Sequence, residues 1–318
     1  MGDLPRDRVR AIRSFAEVGK DFAGPFLVKS SNLRNACSHK AYLCVFVCLA
    51  TKAVHLELVS TLSTEAYVAT LGRFVSRRGL PDLIQSDCGT NYKGTDRYLK
   101  EVVVLSSNRT YLGTAMSKKG IQWKFDPSAR PHWGGIFEAV VKIAKTHLRR
   151  VISETILTFE ELATVFCKIE AVLNSRPLCP LSSDPNDLEV LTPGYFLIGQ
   201  PLKALPEYPF REINSSRFSR FDLPQQMTQS SWHRWSLEYL HLLQKHVKWS
   251  NKTDLPRVRD LVLVKEPNAL PLYWCRVRIV KLSYGSDGVP RVAEVLVGDS
   301  VLQRVVATLS RLPIYSRT

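Results

Sequence analysis

The sequence predicts an α/β core followed by a small all-β domain. Segments with the periodicity of strands alternate with amphipathic helices over the first part of the chain. A stretch rich in Pro and Ser, residues 178–223, then interrupts this pattern. After residue 253 the chain consists of short apolar strands separated by turns. A chain of 318 residues is long enough for two domains of these kinds.

Composition favours a basic protein with a polyanionic partner. The formal net charge is +15, and nucleic acid is the commonest polyanion that such proteins bind. The alternative is an ordinary basic surface of solvated Lys and Arg. The longest apolar run, Ala41 to Ala50, is too short to cross a bilayer, and no apolar segment of a secretory signal follows Met1. Seven cysteines without a Cys-x-x-Cys pair predict reduced thiols in the nucleus or cytosol.

Three strands are expected first. They cover residues 19–29, 41–50 and 54–58, and a polar hairpin loop joins the first two. The second run is almost entirely apolar, as expected for a central strand that is covered on both faces. Cys44 and Cys48 lie within it and are predicted to be core residues.

A helix and a fourth strand follow. Ser63 or Thr64 can cap the helix, and Gly79 ends it. The apolar pair Leu83-Ile84 then predicts a buried strand that delivers Asp87 to a loop at its carboxyl end. A single Asp in this position is more commonly a turn former or a helix cap, so its role depends on whether other carboxylates converge with it.

A fifth strand is expected at residues 120–125, and a long helix from near Trp133. Glu138, Lys142, Lys145 and Arg149 fall on one of its stripes at helical spacing, apart from the apolar stripe. Spacing alone leaves two alternatives open. The stripe is either ordinary pairing of charges four residues apart, or a metal ligand followed by a track for phosphates.

Two further helices are predicted downstream. Thr158 and Glu161 form a capping box for the first. The second contains Trp232 and Trp235, which are expected to be core residues rather than base-stacking groups.

The C-terminal part predicts a β-barrel of SH3-like size, in which residues 284–288 form a hairpin turn. Arg276 and Arg278 are among its many cationic residues. Its strands are expected at residues 261–264, 274–280, 292–297 and 305–309.

Three carboxylates stand out in this order of elements: Asp21, Asp87 and Glu138. Three strands, a helix, a strand and a further helix, with the acids so placed, correspond to an RNase H-like mixed five-stranded sheet with flanking helices. Three carboxylates at one point repel each other unless divalent cations hold them, and hard oxygen ligands select Mg²⁺ or Mn²⁺. Two such ions about 4 Å apart would support in-line attack on a phosphodiester.

The chain resembles retrotransposon integrases, most closely those of the BEL/Pao type. The resemblance covers nearly the whole chain and continues through a C-terminal block from about Trp232 to Pro313. The motifs that carry it are Asp21-Phe22-Ala23-Gly24-Pro25, the segment from Cys44 to Leu58, Arg77-Arg78-Gly79-Leu80-Pro81, Ser86-Asp87-Cys88-Gly89-Thr90-Asn91-Tyr92, His132-Trp133-Gly134-Gly135-Ile136-Phe137-Glu138, Leu173-Asn174-Ser175-Arg176-Pro177-Leu178 and Leu191-Thr192-Pro193.

The resemblance implies an activity and its ligands. Asp21, Asp87 and Glu138 would be the D,D,E ligands of two Mg²⁺ or Mn²⁺ ions, with Asp21 bridging both. The activities would be trimming of DNA 3′ ends and joining of the new ends to target DNA.

The resemblance also implies partners and a place of action. Lys142 and Lys145 would contact phosphates at the element ends, and Arg149, Arg276 and Arg278 complete the predicted DNA-binding set. The partners would be the element ends and target DNA, with a homo-oligomer holding two ends. No membrane and no small-molecule cofactor are expected. The place of action would be the nucleus, after a cytoplasmic particle.

Four regions are expected: a connector (1–15), an RNase H-like catalytic core (16–205), a linker with a helix (206–252) and an SH3-like DNA-binding domain (253–318).

Two departures from the resembled family keep alternatives open. Such integrases usually begin with a His-His-Cys-Cys zinc domain, and this chain is expected to start just downstream of it. Related integrases often carry Asn where Cys88 stands. A catalytically inactive DNA-binding remnant or host-recruited protein is therefore the alternative function, and the chain is either a polyprotein fragment or a stand-alone remnant. A plain RNase H-type nuclease is disfavoured by the basic C-terminal domain and the long connecting helix.

Overall fold

A computed structural model describes residues 13–33, 35–86, 94–98, 121–125, 156–182, 184, 186–210, 219–244, 255–266, 269–297 and 300–312. The chain divides into two compact units, Met1–Leu173 and Asn174–Thr318. Within the described ranges, no helix combines the length and the apolar character that a membrane span requires.

The first unit is built on a mixed sheet. Its strands are β1 (Glu17–Lys29), β2 (Ser38–Cys48), β3 (Val54–Val59), β4 (Leu83–Ser86) and β5 (Gln122–Phe125). Their order in the sheet is β3-β2-β1-β4-β5. β1, β2 and β3 are antiparallel neighbours, β4 is parallel to β1, and β5 is parallel to β4. This is the RNase H-like arrangement that the sequence predicts, with β1 at the centre.

A short sixth strand extends the predicted sheet. β6 (Leu157–Thr158) pairs in parallel with the end of β1, after a register shift between Ala23 and Phe26. The shift allows one strand of 13 residues to serve different neighbours along its length.

The first unit contains the helices α1 (Thr64–Arg78) and α2 (Phe159–Asn174), and residues 94–98 are also helical. Ser63 caps α1 by accepting the Ala66 N–H at 3.2 Å, and Gly79 ends it at φ +86°. Thr158 and Glu161 form the predicted reciprocal capping box at the start of α2, with bonds of 2.8 and 3.3 Å.

The core of this unit lies on both faces of the sheet. Val45 and Val47 of β2 are completely buried, as are Cys44 and Cys48, which confirms the prediction for a central strand. On the α1 face, Phe74 stacks on Phe46 with ring centroids 4.3 Å apart.

The second unit begins with short elements and continues with a long helix. β7 (Cys179–Pro180) and β8 (Val190–Leu191) form a small ladder, followed by α3 (Tyr195–Ile198) and α4 (Asp222–Leu243). Trp232 and Trp235 on α4 are 3% and 4% exposed, so they are core residues as predicted.

An antiparallel sheet completes the second unit. Its strands are β9 (Leu261–Val264), β10 (Cys275–Tyr284), β11 (Pro290–Val297), β12 (Ser300–Val305) and β13 (Leu309–Arg311). Their order is β12-β11-β10-β9-β13, and residues 284–288 form the predicted hairpin turn, closed by a Gly285 N–H bond to the Val289 carbonyl. Among the described residues the predicted barrel is not closed, because no ladder joins β12 to β13.

One predicted strand, residues 305–309, is wrong. β12 ends at Val305, residues Val306–Thr308 form a 3-10 turn, and β13 starts at Leu309. The Thr308 hydroxyl donates to the Val305 carbonyl at 2.7 Å and stabilises this local turn. Such hydroxyl bonding to a nearby carbonyl competes with extended structure, which the apolar pattern alone does not reveal.

Candidate active site on the central strands

Asp21 lies in the middle of the central strand. It stands opposite Val45 of β2 and is half-buried. One carboxylate oxygen, Oδ1, accepts the Phe22 N–H at 2.7 Å. The RNase H-like sheet therefore places this acid on a rigid element. A site with defined geometry needs such support.

The strand next to β1 ends one residue before Asp87. The parallel ladder pairs Glu17 with Leu83 and Gly19 with Gln85. Ser86 is the last residue of β4 and is fully buried. Asp87 itself lies outside the described residues.

Ser86 is held from the neighbouring strand. The indole N–H of Trp123 on β5 donates to the Ser86 hydroxyl at 3.0 Å. This bond joins β4 to β5 at the point where β4 ends.

A buried cation adjoins Asp21, and sequence reasoning missed it. Lys20 is 1% exposed, and its ammonium lies 3.6 Å from the ring centroid of Phe22 and 3.7 Å from that of Tyr67 on α1. Cations are attracted to aromatic faces at such distances. The available signal was a Lys within an apolar strand, which by itself does not distinguish a clamped cation from one that extends to solvent.

Burial also controls the nearby thiol and phenol. Burial raises the pKa of the Cys44 thiol to about 12, although the charge of Lys20 lowers it in part. Burial likewise raises the pKa of Tyr67 well above its ordinary value. Neither group is therefore ionised near neutral pH, and both act as packing residues.

The remaining predicted ligands and contacts on the long helix, Glu138, Lys142, Lys145 and Arg149, lie outside the described residues. Within the residues that the structure describes, no group of three or more His, Cys, Asp or Glu side chains forms a metal cluster. The structure thus places one of the three acids and the strand that leads to the second.

The two predicted DNA contacts of the second unit differ in their surroundings. Arg276 is half-buried and faces Leu263 across the ladder. The Arg278 guanidinium donates to three main-chain carbonyls, those of Arg259 (2.9 Å), Asp184 (2.7 Å) and Asp187 (2.6 Å). These bonds give Arg278 a structural role, because they tie β10 to the segment before β8.

A second polar cluster, also missed from the sequence, lies at the β3 edge of the mixed sheet. His55 of β3 is 2% exposed; its Nε2 lies 3.2 Å from Glu57 Oε1, and its Nδ1 lies 3.2 Å from Glu170 Oε2 on α2. Arg73 and Arg77 of α1 bind Glu57 at 2.7 and 2.8 Å. We name these five residues together with Arg78 the edge cluster.

The ionisation of the edge cluster follows from these bonds. Burial alone would lower the pKa of His55, but hydrogen bonds to Glu170 and Glu57 raise the pKa above its ordinary value of 6.5. Burial alone would raise the pKa of Glu57, but hydrogen bonds from His55 and Arg73 lower the pKa below its ordinary value of 4.5. The edge cluster therefore favours the protonated, cationic form of His55 and the ionised form of Glu57.

Comparisons with known proteins match the two units differently. Residues 219–312, which include α4 and the antiparallel sheet, match DUF5641, a family of unknown function. No curated protein matches the chain.

Two solved structures are similar to the chain at low identity. One is an intasome of simian T-cell lymphotropic virus in complex with PP2A regulatory subunit B56 gamma, at 13% identity and a TM-score of 0.38, covering 99% of this chain and 85% of that one. The other is the HTLV-2 integrase catalytic core domain in complex with magnesium, at 14% identity and a TM-score of 0.35, covering 55% of this chain and 95% of that one. The fold assignment of the first unit rests on its own strand order and register.

Proposed function

We propose that the chain is the catalytic region of a DNA integrase of the retrotransposon BEL/Pao type. It would trim DNA 3′ ends and join them to target DNA with the help of divalent cations. The observation that carries this proposal is the parallel register of β1 and β4, which sets the strand that bears Asp21 beside the strand that ends one residue before Asp87.

The register can be extended by counting. Gly19 pairs with Gln85, so the residues two positions further along each strand are Asp21 and Asp87. Consecutive Cα atoms are about 3.8 Å apart and paired strands about 4.8 Å apart. A continued register would therefore bring the two carboxylates side by side on the same face of the sheet.

The type of ligand fits a hard cation. Asp21 offers carboxylate oxygens from a rigid strand, and Mg²⁺ and Mn²⁺ prefer such oxygens. We propose that Asp21 would bridge two ions, with Asp87 and Glu138 each holding one. When bound, two ions would supply Lewis-acid activation of the attacking and leaving oxygens of a phosphodiester.

The remaining proposed roles follow the charge of the chain. Lys142, Lys145 and Arg149 would contact phosphates of the element ends, and Arg276 would contribute from the second unit. A net charge of +15 favours such contacts with DNA. The proposed working form is a nuclear homo-oligomer on DNA, because integration requires two DNA ends to be held together.

A strand-transfer assay with Mn²⁺ or Mg²⁺ tests the catalytic proposal. Asp21→Asn and Asp87→Asn should each abolish metal-dependent nicking and joining, since each removes a carboxylate charge that would hold the ions. Asp82→Asn is the matched control, because Asp82 is an exposed acid at the opposite end of the Asp87 strand. If Asp87→Asn retains strand transfer, the ligand assignment is wrong.

DNA binding tests the remaining part of the proposal. Affinity should fall steeply with salt, because it would depend mainly on phosphate contacts. Arg276→Ala should weaken binding without unfolding the second unit, whereas Arg278→Ala should destabilise that unit. Binding to DNA without any metal-dependent nicking by the wild-type chain would instead support the alternative function, an inactive DNA-binding remnant.

A further inference from the structure

We propose that His55 is a pH-dependent latch that fixes α2 to the β3 edge of the mixed sheet. This inference concerns the edge cluster alone and does not depend on the proposed catalytic function. It rests on two hydrogen-bond arrangements that the same geometry permits for the His55 ring.

The first arrangement belongs to the protonated ring. Both ring nitrogens of His55 then donate, Nε2 to Glu57 and Nδ1 to Glu170, each across 3.2 Å. A single side chain of β3 thereby links its own strand to α2. Glu170 also accepts the main-chain N–H of Leu56 at 2.8 Å, so the same carboxylate binds the backbone of the edge strand.

The second arrangement belongs to the neutral ring, which has only one N–H to donate. Arg78 of α1 places its Nε 3.4 Å from His55 Nδ1. A neutral ring can keep its Nε2–H on Glu57 and accept the Arg78 N–H at Nδ1. Loss of the proton therefore exchanges the partner of Nδ1 from Glu170 on α2 to Arg78 on α1, and the ring no longer joins β3 to α2.

The surroundings of His55 include charges from both helices packed against it. The acids are Glu57 of its own strand and Glu170 of α2, and the cation in contact is Arg78, which also binds Glu170 at 2.5 Å. Arg73 and Arg77 of α1 act through Glu57. Two aromatic rings also lie beside His55: the ring centroids of Phe46 on β2 and Phe74 on α1 are 6.1 and 5.5 Å away. The charges of Glu170 and Glu57 also act on the Cys167 thiol of α2.

The direction of the pH effect follows from linkage. The pKa of His55 is higher in the folded chain than the ordinary value of 6.5. Its contribution to stability is therefore complete below pH 6.5 and is lost as the pH rises through the folded pKa. Attachment of α2 to β3 should weaken on the alkaline side of pH 6.5, over a range in which Asp and Glu do not titrate.

Histidine-selective NMR and hydrogen exchange on the full chain test the latch. Over a titration from about pH 5 to about pH 9, the His55 resonance, assigned by its loss in His55→Gln, should titrate above about 6.5. Glu170→Gln should lower this midpoint.

Hydrogen exchange supplies the second readout. After correction for intrinsic exchange, protection of the Leu56 amide and of the α2 amides should fall as His55 deprotonates, by about tenfold for each unit by which the pKa is raised. His55→Gln should remove this pH dependence.

His241→Gln is the matched control, because it removes an exposed histidine from α4 in the other unit. It should leave exchange of Leu56 and α2 unchanged. A His55 midpoint at or below about 6.5, or a midpoint that Glu170→Gln does not lower, would overturn the latch. If His55→Gln does not fold, the His55 resonance is assigned through its backbone connectivity instead, and titration of the wild type and of Glu170→Gln still decides between these results.

Discussion

The two units attach helices to their sheets by different chemistry. In the first unit, α1 and α2 meet the β3 edge through ion pairs of the edge cluster, in which the acids are largely buried and the arginines partly exposed. In the second unit, aromatic rings surround Trp274, which precedes β10. Trp232, Trp235 and Tyr239 of α4 lie 4.9, 5.6 and 5.5 Å from Trp274 between ring centroids.

This aromatic cluster also explains a motif that the sequence left without a physical role. The Trp274 indole donates to the Ser175 hydroxyl at 3.3 Å, and the Tyr239 hydroxyl donates to the Pro177 carbonyl. Ser175 and Pro177 belong to the Asn-Ser-Arg-Pro segment after α2. The motif is therefore a docking segment for α4 and Trp274.

The difference teaches how each attachment responds to conditions. Buried ion pairs are directional and depend on protonation, and removal of one partner leaves a costly charge. Aromatic packing depends on buried area and ring geometry and does not titrate near neutral pH. The attachment of helices in the first unit should therefore depend on pH more than the attachment of α4 in the second.

The largest effect is expected from the aromatic cluster. Trp274→Ala should destabilise the second unit by about 3–5 kcal/mol, because it removes a buried indole and leaves a cavity among three rings. Hydrogen exchange resolved to peptides of each unit measures this loss. Trp274→Phe is the control and should lose less, since a ring remains; a loss below about 1 kcal/mol for Trp274→Ala would show that this cluster does not hold α4.

A smaller effect is expected from the edge cluster. Glu57→Gln should destabilise the first unit by about 1–3 kcal/mol, because it removes the acceptor charge for His55, Arg73 and Arg77. The loss should stay in this range because Arg73 and Arg77 are 41% and 55% exposed and can be rehydrated. Urea unfolding measures it, and Glu160→Gln on the exposed first turn of α2 should change stability far less. Equal losses for both variants would contradict the assigned role of Glu57.

Acid should destabilise the edge cluster of the first unit more than the aromatic cluster of the second. The folded pKa of Glu57 is below 4.5, so its stabilisation is present above pH 4.5 and is lost as the pH falls through the folded pKa. In the wild type, this carboxylate contributes a slope of at most about 1.4 kcal/mol per pH unit, which Glu57→Gln should remove. Trp274→Phe should leave the acid dependence parallel to that of the wild type. An unchanged slope in Glu57→Gln would place the acid sensitivity elsewhere.

The smallest effect concerns a helix end rather than a helix face. Ser63→Ala should cost about 1 kcal/mol, because it removes the hydroxyl that accepts the Ala66 N–H. Thermal unfolding measures this cost, with Ser60→Ala as a nearby control, because Ser60 is exposed and precedes the cap by three residues. If the two substitutions cost the same, the cap contributes nothing specific to α1.

Much of the local structure could be predicted because its causes lie within a few residues. The ends of α1 follow from Ser63 and Gly79, and the start of α2 follows from Thr158 and Glu161. The same local reasoning failed at residues 305–309, where a hydroxyl-to-carbonyl bond forms a turn inside an apolar segment. Periodicity reports which face is buried, but it does not report such a bond.

The candidate site was predictable only in part. Asp21 on a central strand follows from the order of strands, whereas Lys20 between two aromatic rings depends on Tyr67, which comes from a helix 47 positions later in the sequence. Arg278 was predicted to contact DNA as one of the cationic residues of the C-terminal domain. The structure gives its guanidinium three carbonyl partners, two of them more than 90 residues away.

The sequence by itself determined most strands of the two large sheets, the capped starts of α1 and α2, the basic charge and the position of Asp21 on the central strand. Those features depend on neighbours along the chain, and their patterns are visible there. Only the tertiary structure decided that His55 contacts a carboxylate 115 positions away, that the Lys20 ammonium lies between aromatic rings and that Trp274 packs against three aromatic side chains of α4. The physical reason is that desolvation and close packing select such partners from the whole folded chain. The contacts therefore join residues that are distant in the sequence, and no local sequence pattern predicts them.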